Sequence, residues 1–136
     1  MPVVRPASEF DVAAYEGKVL LVDFWASWCK PCAHSMPWLA ELQGRHGAEG
    51  LAVVAINIDT DLDKAAPMLA MLSDGVDVFH DGDRKVAAGY DLEGMPSAYL
   101  YDRTGRLRKS HVGFLPAEAD AREEEIVELL TEGKSE

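Results

Sequence analysis

Two cysteines stand three positions apart in the run Trp28-Cys29-Lys30-Pro31-Cys32. The apolar stretch Val19 to Ala26 comes just before them. It reads as a buried strand, being short and rich in branched and aromatic residues. Beyond Cys32, the residues Met36, Leu39 and Leu42 recur at helical spacing. The pair therefore lies where a strand ends and a helix begins. A cysteine there faces unpaired backbone N–H groups and the positive end of the helix dipole, which favour a thiolate over a thiol. Positions i and i+3 of a first helical turn are roughly 5 Å apart, which suits a disulfide. The chemistry this arrangement suggests is reversible thiol–disulfide exchange.

Other uses of the pair fit less well. A zinc half-site needs two further ligands. There is no third cysteine, and His34, His46, His80 and His111 show no short paired spacing. Covalent haem attachment needs histidine directly after the second cysteine, where this chain has Ala33. A purely structural bridge remains the plain alternative, but closing so short a loop constrains the unfolded chain little.

The elements that must hold this site follow from pattern. Ser8 can cap a short helix through Tyr15, stopped by Gly17. After the strand Val19 to Ala26, a helix is expected from Pro31 to His46, kinked by Pro37. Leu51 to Ile58 is a second apolar strand, parallel to the first through a βαβ crossover. A helix from Leu62 to Leu72 follows, weakened or started late by Pro67, with Met68, Met71 and Leu72 as its core. Val76 to Phe79 is a short strand and Lys85 to Tyr90 a short helix. Ser97 to Tyr101 and Arg106 to Val112 form a hairpin about the turn 102–105. Pro116 opens a last helix that buries Ile126, Leu129 and Leu130.

The 136 residues suffice for one domain, residues 1–136, with a core that needs no disulfide staple. The net charge of −11 argues against nucleic acid or an anionic membrane as partner. Much of the acid lies from Glu118 to Glu136 and reads as a solvated helix face. No stretch is long enough to span a bilayer. Pro2, Arg5, Pro6, Glu9 and Asp11 interrupt any signal-peptide core. The compartment stays open. Met1 as a native start implies the cytoplasm, and a removed targeting segment implies extracytoplasmic space.

Taken together, Asp23-Phe24-Trp25-Ala26, Trp28-Cys29-Lys30-Pro31-Cys32, Asn57-Ile58-Asp59, Gly94-Met95-Pro96-Ser97 and Gly113 resemble the thioredoxin superfamily over nearly the whole chain. An insertion at about 62–79 is similar to that of TlpA-like and ResA-like thiol–disulfide oxidoreductases, as is Phe24-Trp25-Ala26-Ser27-Trp28-Cys29. Asp23 matches thioredoxin proper instead. The Thr-x-x-Cys motif of peroxiredoxins is absent from the sequence. The resemblance implies an α/β thioredoxin fold, a central mixed sheet flanked by helices, with the extra helix–strand insertion before a cis-proline loop. It also implies a set of roles. Cys29, partly exposed, is the attacking thiolate, and the more buried Cys32 resolves the mixed disulfide. Asp23 accepts the proton of Cys32, Pro96 is the cis-proline, and Met95 touches the sulfurs and offers its backbone to substrate. Trp28 walls the site, Lys30 favours the thiolate, and Pro31 keeps the dipeptide in shape. His34 is expected at the surface.

Asp23 has a bland alternative as a structural hydrogen-bonded carboxylate. Thioredoxins proper place a lysine where this chain has Ala55, so Asp23 is expected to lack a nearby cation and to be hard to ionise. The implied activity is reduction of protein disulfides by a monomer, recharged by an upstream thiol donor and needing no cofactor. Oxidase or isomerase duty, or a non-catalytic binding module, are the alternatives.

Overall fold

A computed structural model describes residues 2–72 and 75–132. Met1, positions 73 and 74 of the expected insertion, and the end of the acidic tail at Glu136 lie outside the described residues.

The sheet is built around two strands, β2 (Val19–Trp25) and β3 (Leu51–Asn57), in which every residue is buried. They pair in parallel from Val19↔Leu51 to Trp25↔Asn57. Near-continuous apolar runs of this kind, interrupted in β2 by Asp23 and closed in β3 by Asn57, are what a parallel pair covered on both faces requires. Helix α1 (Lys30–His46) connects them, with Pro37 inside it. Three further strands were expected in part: β4 (Asp77–His80), parallel to β3, then β5 (Ser97–Tyr101), antiparallel to β2, and β6 (Leu107–Val112), antiparallel to β5. A sixth, β1 (Val4–Pro6), joins the far edge parallel to β4, so the order is β1-β4-β3-β2-β5-β6. Three residues are too few to show a period, which is why β1 was not anticipated.

The N-terminal helix expected from Ser8 is instead two 3₁₀ turns, Ala7–Glu9 and Val12–Tyr15. Ser8 lies inside the first. Asp11 caps the second, its carboxylate accepting the Ala13 N–H at 3.0 Å. Extended backbone at Phe10 separates the turns, and its ring packs on Phe79 with centroids 5.5 Å apart. The expected helix Leu62 to Leu72 is likewise divided, into a 3₁₀ turn Leu62–Ala65 and α2 (Ala66–Leu69). Pro67 sits in the first turn of α2, where its missing N–H does no harm. Met68 and Leu72 are buried as expected, but Met71 is exposed. Helix α3 (Lys85–Tyr90) precedes the β5–β6 hairpin, and Pro116 opens a 3₁₀ turn that runs into α4 (Ala119–Glu132).

Side chains alternate across β2. Phe24 meets Tyr90 and Tyr99 on one face. Leu21, which points the other way, shares a small cavity with Trp38 of α1 and with Arg122 and Ile126 of α4. Asp23 and Trp25 therefore face α1 and α4. The acidic face of α4 is less free than expected. Glu123 binds Arg45 and His46, Glu125 binds His111 and Glu132 binds Arg108, all between 2.6 and 3.1 Å. These pairs dock the last helix on α1 and β6.

Two polar side chains complete backbone that the sheet leaves open. Strand β4 first reaches β3 at Val54. Before that point Gln43 takes the place of a strand, donating to Leu51 O at 3.1 Å and accepting from Val53 N–H at 2.8 Å. Arg103 donates to the carbonyls of Gly17, Glu49 and Leu130, each at 3.0 Å. It thereby ties the start of β2, the start of β3 and the end of α4 together. Gly50 permits this approach, since a Cβ there would lie 2.6 Å from Arg103 Nη1. We expect Arg103→Ala to cost on the order of 2–3 kcal/mol, because three carbonyls lose a charged donor. Urea melts of the two proteins measure this.

Candidate active site

The loop Ala26–Ser27–Trp28 carries the chain from β2 into α1. Cys29 is the N-cap of α1, in extended backbone, and Lys30 is its first helical residue. Cys29 N–H donates to Ala26 O, and Cys32 N–H to Cys29 O, both at 3.2 Å. The two sulfurs are bonded, with Cα atoms 5.3 Å apart. Cys32 is fully buried, and Cys29 is 5% exposed rather than partly open as expected. Trp28 projects beside the pair and is 57% exposed. Lys30 and His34 are exposed and Pro31 is half-buried.

The loop is moored by a residue to which the sequence reading gave no role. Asp59, buried just past β3, accepts the Ser27 N–H at 2.9 Å and the Ser27 hydroxyl at 2.7 Å. Its carboxylate also accepts from Asn57 Nδ2 at 2.8 Å, and its own N–H donates to Asn57 Oδ1 at 2.9 Å. A buried acid at the end of an apolar strand was the available signal, because such a charge needs several donors.

Asp23 lies between Ala55 of β3 and Ala98 of β5. Its residue is 3% exposed, and Oδ2 accepts no hydrogen bond among the described residues. Burial raises its pKa from 3.8 to about 7, while the charge of Arg122 pulls it down. The expectation that no cation stands nearby is thus corrected. Ala55 offers none, but α4 supplies Arg122, itself only 6% exposed. In sequence Arg122 heads the run Glu123-Glu124-Glu125 and looks like one more solvated charge.

The peptide bond between Met95 and Pro96 is cis, and Pro96 is buried. Its carbonyl accepts the Gly113 N–H at 2.7 Å. Gly113 has φ +82°, so the glycine suits the turn that brings β6 back to this loop. The Ser97 hydroxyl donates to Gly94 O at 2.6 Å. Met95, half-buried, lines a cleft of about 510 Å³ together with Ile58, Arg84, Ala87 and Leu92. Arg84 has φ +58°, donates to Ile58 O at 3.1 Å and lies over the Trp28 ring, 6.0 Å from its centroid. Asp81 fixes the start of α3 by accepting the N–H groups of Val86 and Ala87 at 3.2 and 2.8 Å. Trp28, Arg84 and Met95 thus form one continuous surface from the cysteine loop to the cis-proline loop.

Among the described residues no cluster of three or more His, Cys, Asp or Glu is placed to hold a metal ion, and no helix is long and apolar enough to cross a membrane.

Residues 4–129 match the Redoxin family. The thioredoxin-like protein YneN of Bacillus subtilis (strain 168) is 37% identical over 101 residues, which cover 72% of this chain and 58% of YneN. The thiol-disulfide oxidoreductase ResA of the same organism is 30% identical over 105 residues, covering 76% of this chain and 58% of ResA. The chain therefore spans about three fifths of the length of these curated relatives. A crystal structure from Chlorobium tepidum, assigned as a thiol:disulfide interchange protein DsbE, superposes with a TM-score of 0.82 at 38% identity. That match covers 88% of this chain and 84% of the other. The architecture is the thioredoxin fold, and the likeness falls on the ResA-like side, as the insertion implied.

Proposed function

We propose that this chain, which belongs to the Redoxin family, is a thiol–disulfide oxidoreductase that reduces disulfides in other proteins. The observation that carries the reading is the placement of Cys29 at the N-cap of α1, bonded to Cys32 one turn inside. The positive end of the α1 dipole and the exposed Lys30 ammonium favour a thiolate at Cys29. The Cys29 thiolate attacks one sulfur of a substrate disulfide. A Cys29–substrate bond forms, and the other substrate sulfur leaves as a thiolate and takes a proton. Cys32 then gives its proton to the Asp23 carboxylate and attacks the Cys29 sulfur. The second substrate thiol is released, and the Cys29–Cys32 disulfide closes. Two electrons have passed from protein to substrate, and an upstream thiol donor restores the dithiol.

Trp28 and Pro31 shape the approach to the sulfurs in this scheme. The backbone of Met95, beside Pro96, pairs with an extended substrate segment. The protein acts as a monomer on protein disulfides and uses no cofactor.

Insulin reduction in the presence of dithiothreitol tests the activity. We expect catalysed precipitation of the B chain, together with iodoacetamide labelling of the reduced protein at Cys29 in preference to Cys32. An intact dithiol that labels normally but gives no rate above background would point to a binding module. Preferential labelling of Cys32 would reverse the two roles.

A further inference from the structure

Arg122 is an arginine buried where nothing in the thiol chemistry itself calls for one. Its guanidinium stands against a pair of aromatic rings, 5.3 Å from the Trp38 centroid and 5.5 Å from that of Phe114. Those rings lie 5.1 Å apart and pack on each other, so the guanidinium sits beside the pair. Nη1 donates to Gly113 O at 3.2 Å. Gly113 in turn donates its N–H to Pro96 O, so Arg122 is one backbone residue away from the cis-proline loop. It shares the small cavity on the α1/α4 side of the sheet with Leu21, two residues before Asp23 on the same face of β2. Asp23 itself has only the methyl groups of Ala55 and Ala98 beside it on the neighbouring strands, and a buried oxygen that accepts nothing. Among the described residues, a buried carboxyl whose Oδ2 meets no donor and a buried guanidinium with one carbonyl partner share a face.

We infer that Arg122 is the counter-charge of Asp23 and a positioning residue for the resolving step. It acts through Asp23 and touches no substrate. The charged groups facing Arg122 are Asp23 from β2 and Glu118 and Glu125 from its own end of the chain, and Glu125 is held by His111 of β6 at 2.8 Å. From α1 it meets the uncharged Trp38. Because Glu125 is engaged with His111 and Glu118 lies on an exposed turn, Asp23 is the one fully buried anion among the three. A fixed cation in that low-dielectric setting keeps the carboxylate form of Asp23 accessible near neutral pH. It does so without a lysine on the adjacent strand.

The catalytic half of this inference rests on the function proposed above, and the electrostatic half does not. The test therefore begins with a readout that needs no turnover, the ¹³C NMR titration of the Asp23 side-chain carboxyl. In Arg122→Met the midpoint should rise by about one unit or more relative to the wild type. In Arg122→Lys, which keeps the charge, it should stay close to the wild-type value. Near-UV circular dichroism confirms that each variant is folded. If Arg122→Met does not fold, Arg122→Gln against Arg122→Lys makes the same comparison. The pH profile for resolution of a preformed Cys29 mixed disulfide should shift with the carboxyl midpoint. A midpoint unchanged on loss of the charge, or moved equally by Met and Lys, overturns the inference. A midpoint that moves while the resolution profile stays put overturns the positioning role and leaves the thiol chemistry of Cys29 untouched.

Discussion

Cys32→Ser is expected to stop at a covalent complex. With no second thiol to displace the substrate, the Cys29–substrate disulfide should accumulate to one equivalent, and multiple turnover should fall on the order of a thousandfold or more. The complex should be visible on a non-reducing gel, vanish on addition of dithiothreitol, and map to Cys29 by mass spectrometry. Cys29→Ser should form none, because Cys32 is fully buried beneath the first turn of α1. A complex formed equally well by Cys29→Ser would contradict the assignment of roles.

Asp23→Asn should change stability in a way that depends on pH. In the folded protein burial raises the pKa of Asp23 from 3.8 to about 7, with Arg122 opposing the rise. Below about pH 4 the carboxyl is neutral in both the folded and unfolded chain. Between about pH 4 and about pH 7 the unfolded chain ionises and the folded one does not, so wild-type stability falls across that window and levels off above it. A gap of about 3 pKa units corresponds to roughly 4 kcal/mol. Asparagine does not titrate. At the acid end Asp23→Asn should be equal or weaker, since its amide brings new donors into an apolar site. By about pH 8 it should have gained up to about 4 kcal/mol on the wild type. The resolving step should slow by about a hundredfold, the lower range for loss of a general base. Urea melts at the two pH extremes, with stopped-flow reduction of a disulfide substrate, measure both. A stability difference that stays constant with pH, in a variant that is equally fast, would make Asp23 a structural carboxylate.

What could be read from the sequence depended on how local the physics was. Strands β2 and β3 were legible because a strand covered on both faces must be apolar along most of its length. The cysteine pair was legible because its chemistry is confined to one helical turn. The late start of α2 followed from Pro67 alone. The features missed were those whose meaning lies across the sheet. Asp11, and not Ser8, caps the second N-terminal turn because Phe10 must turn inward to reach Phe79. Glu123 reads as a solvated charge until α4 is laid against Arg45 and His46. Arg122 was misjudged in the same way, and with it the setting of Asp23. Looking for the missing cation on the neighbouring strand was sound, but the fold delivers it from the last helix.

The mooring of Ser27 by Asp59 has a consequence for how the protein is read by others. Both hydrogen bonds run from the loop to a carboxylate on the neighbouring strand's end, and neither involves sulfur. Opening the bond between Cys29 and Cys32 leaves this anchor intact. On the proposed cycle, the backbone that presents the cysteines is therefore expected to be common to the dithiol and disulfide forms. A partner that must tell one form from the other would then find little altered outline to recognise. It has to interrogate the thiols themselves.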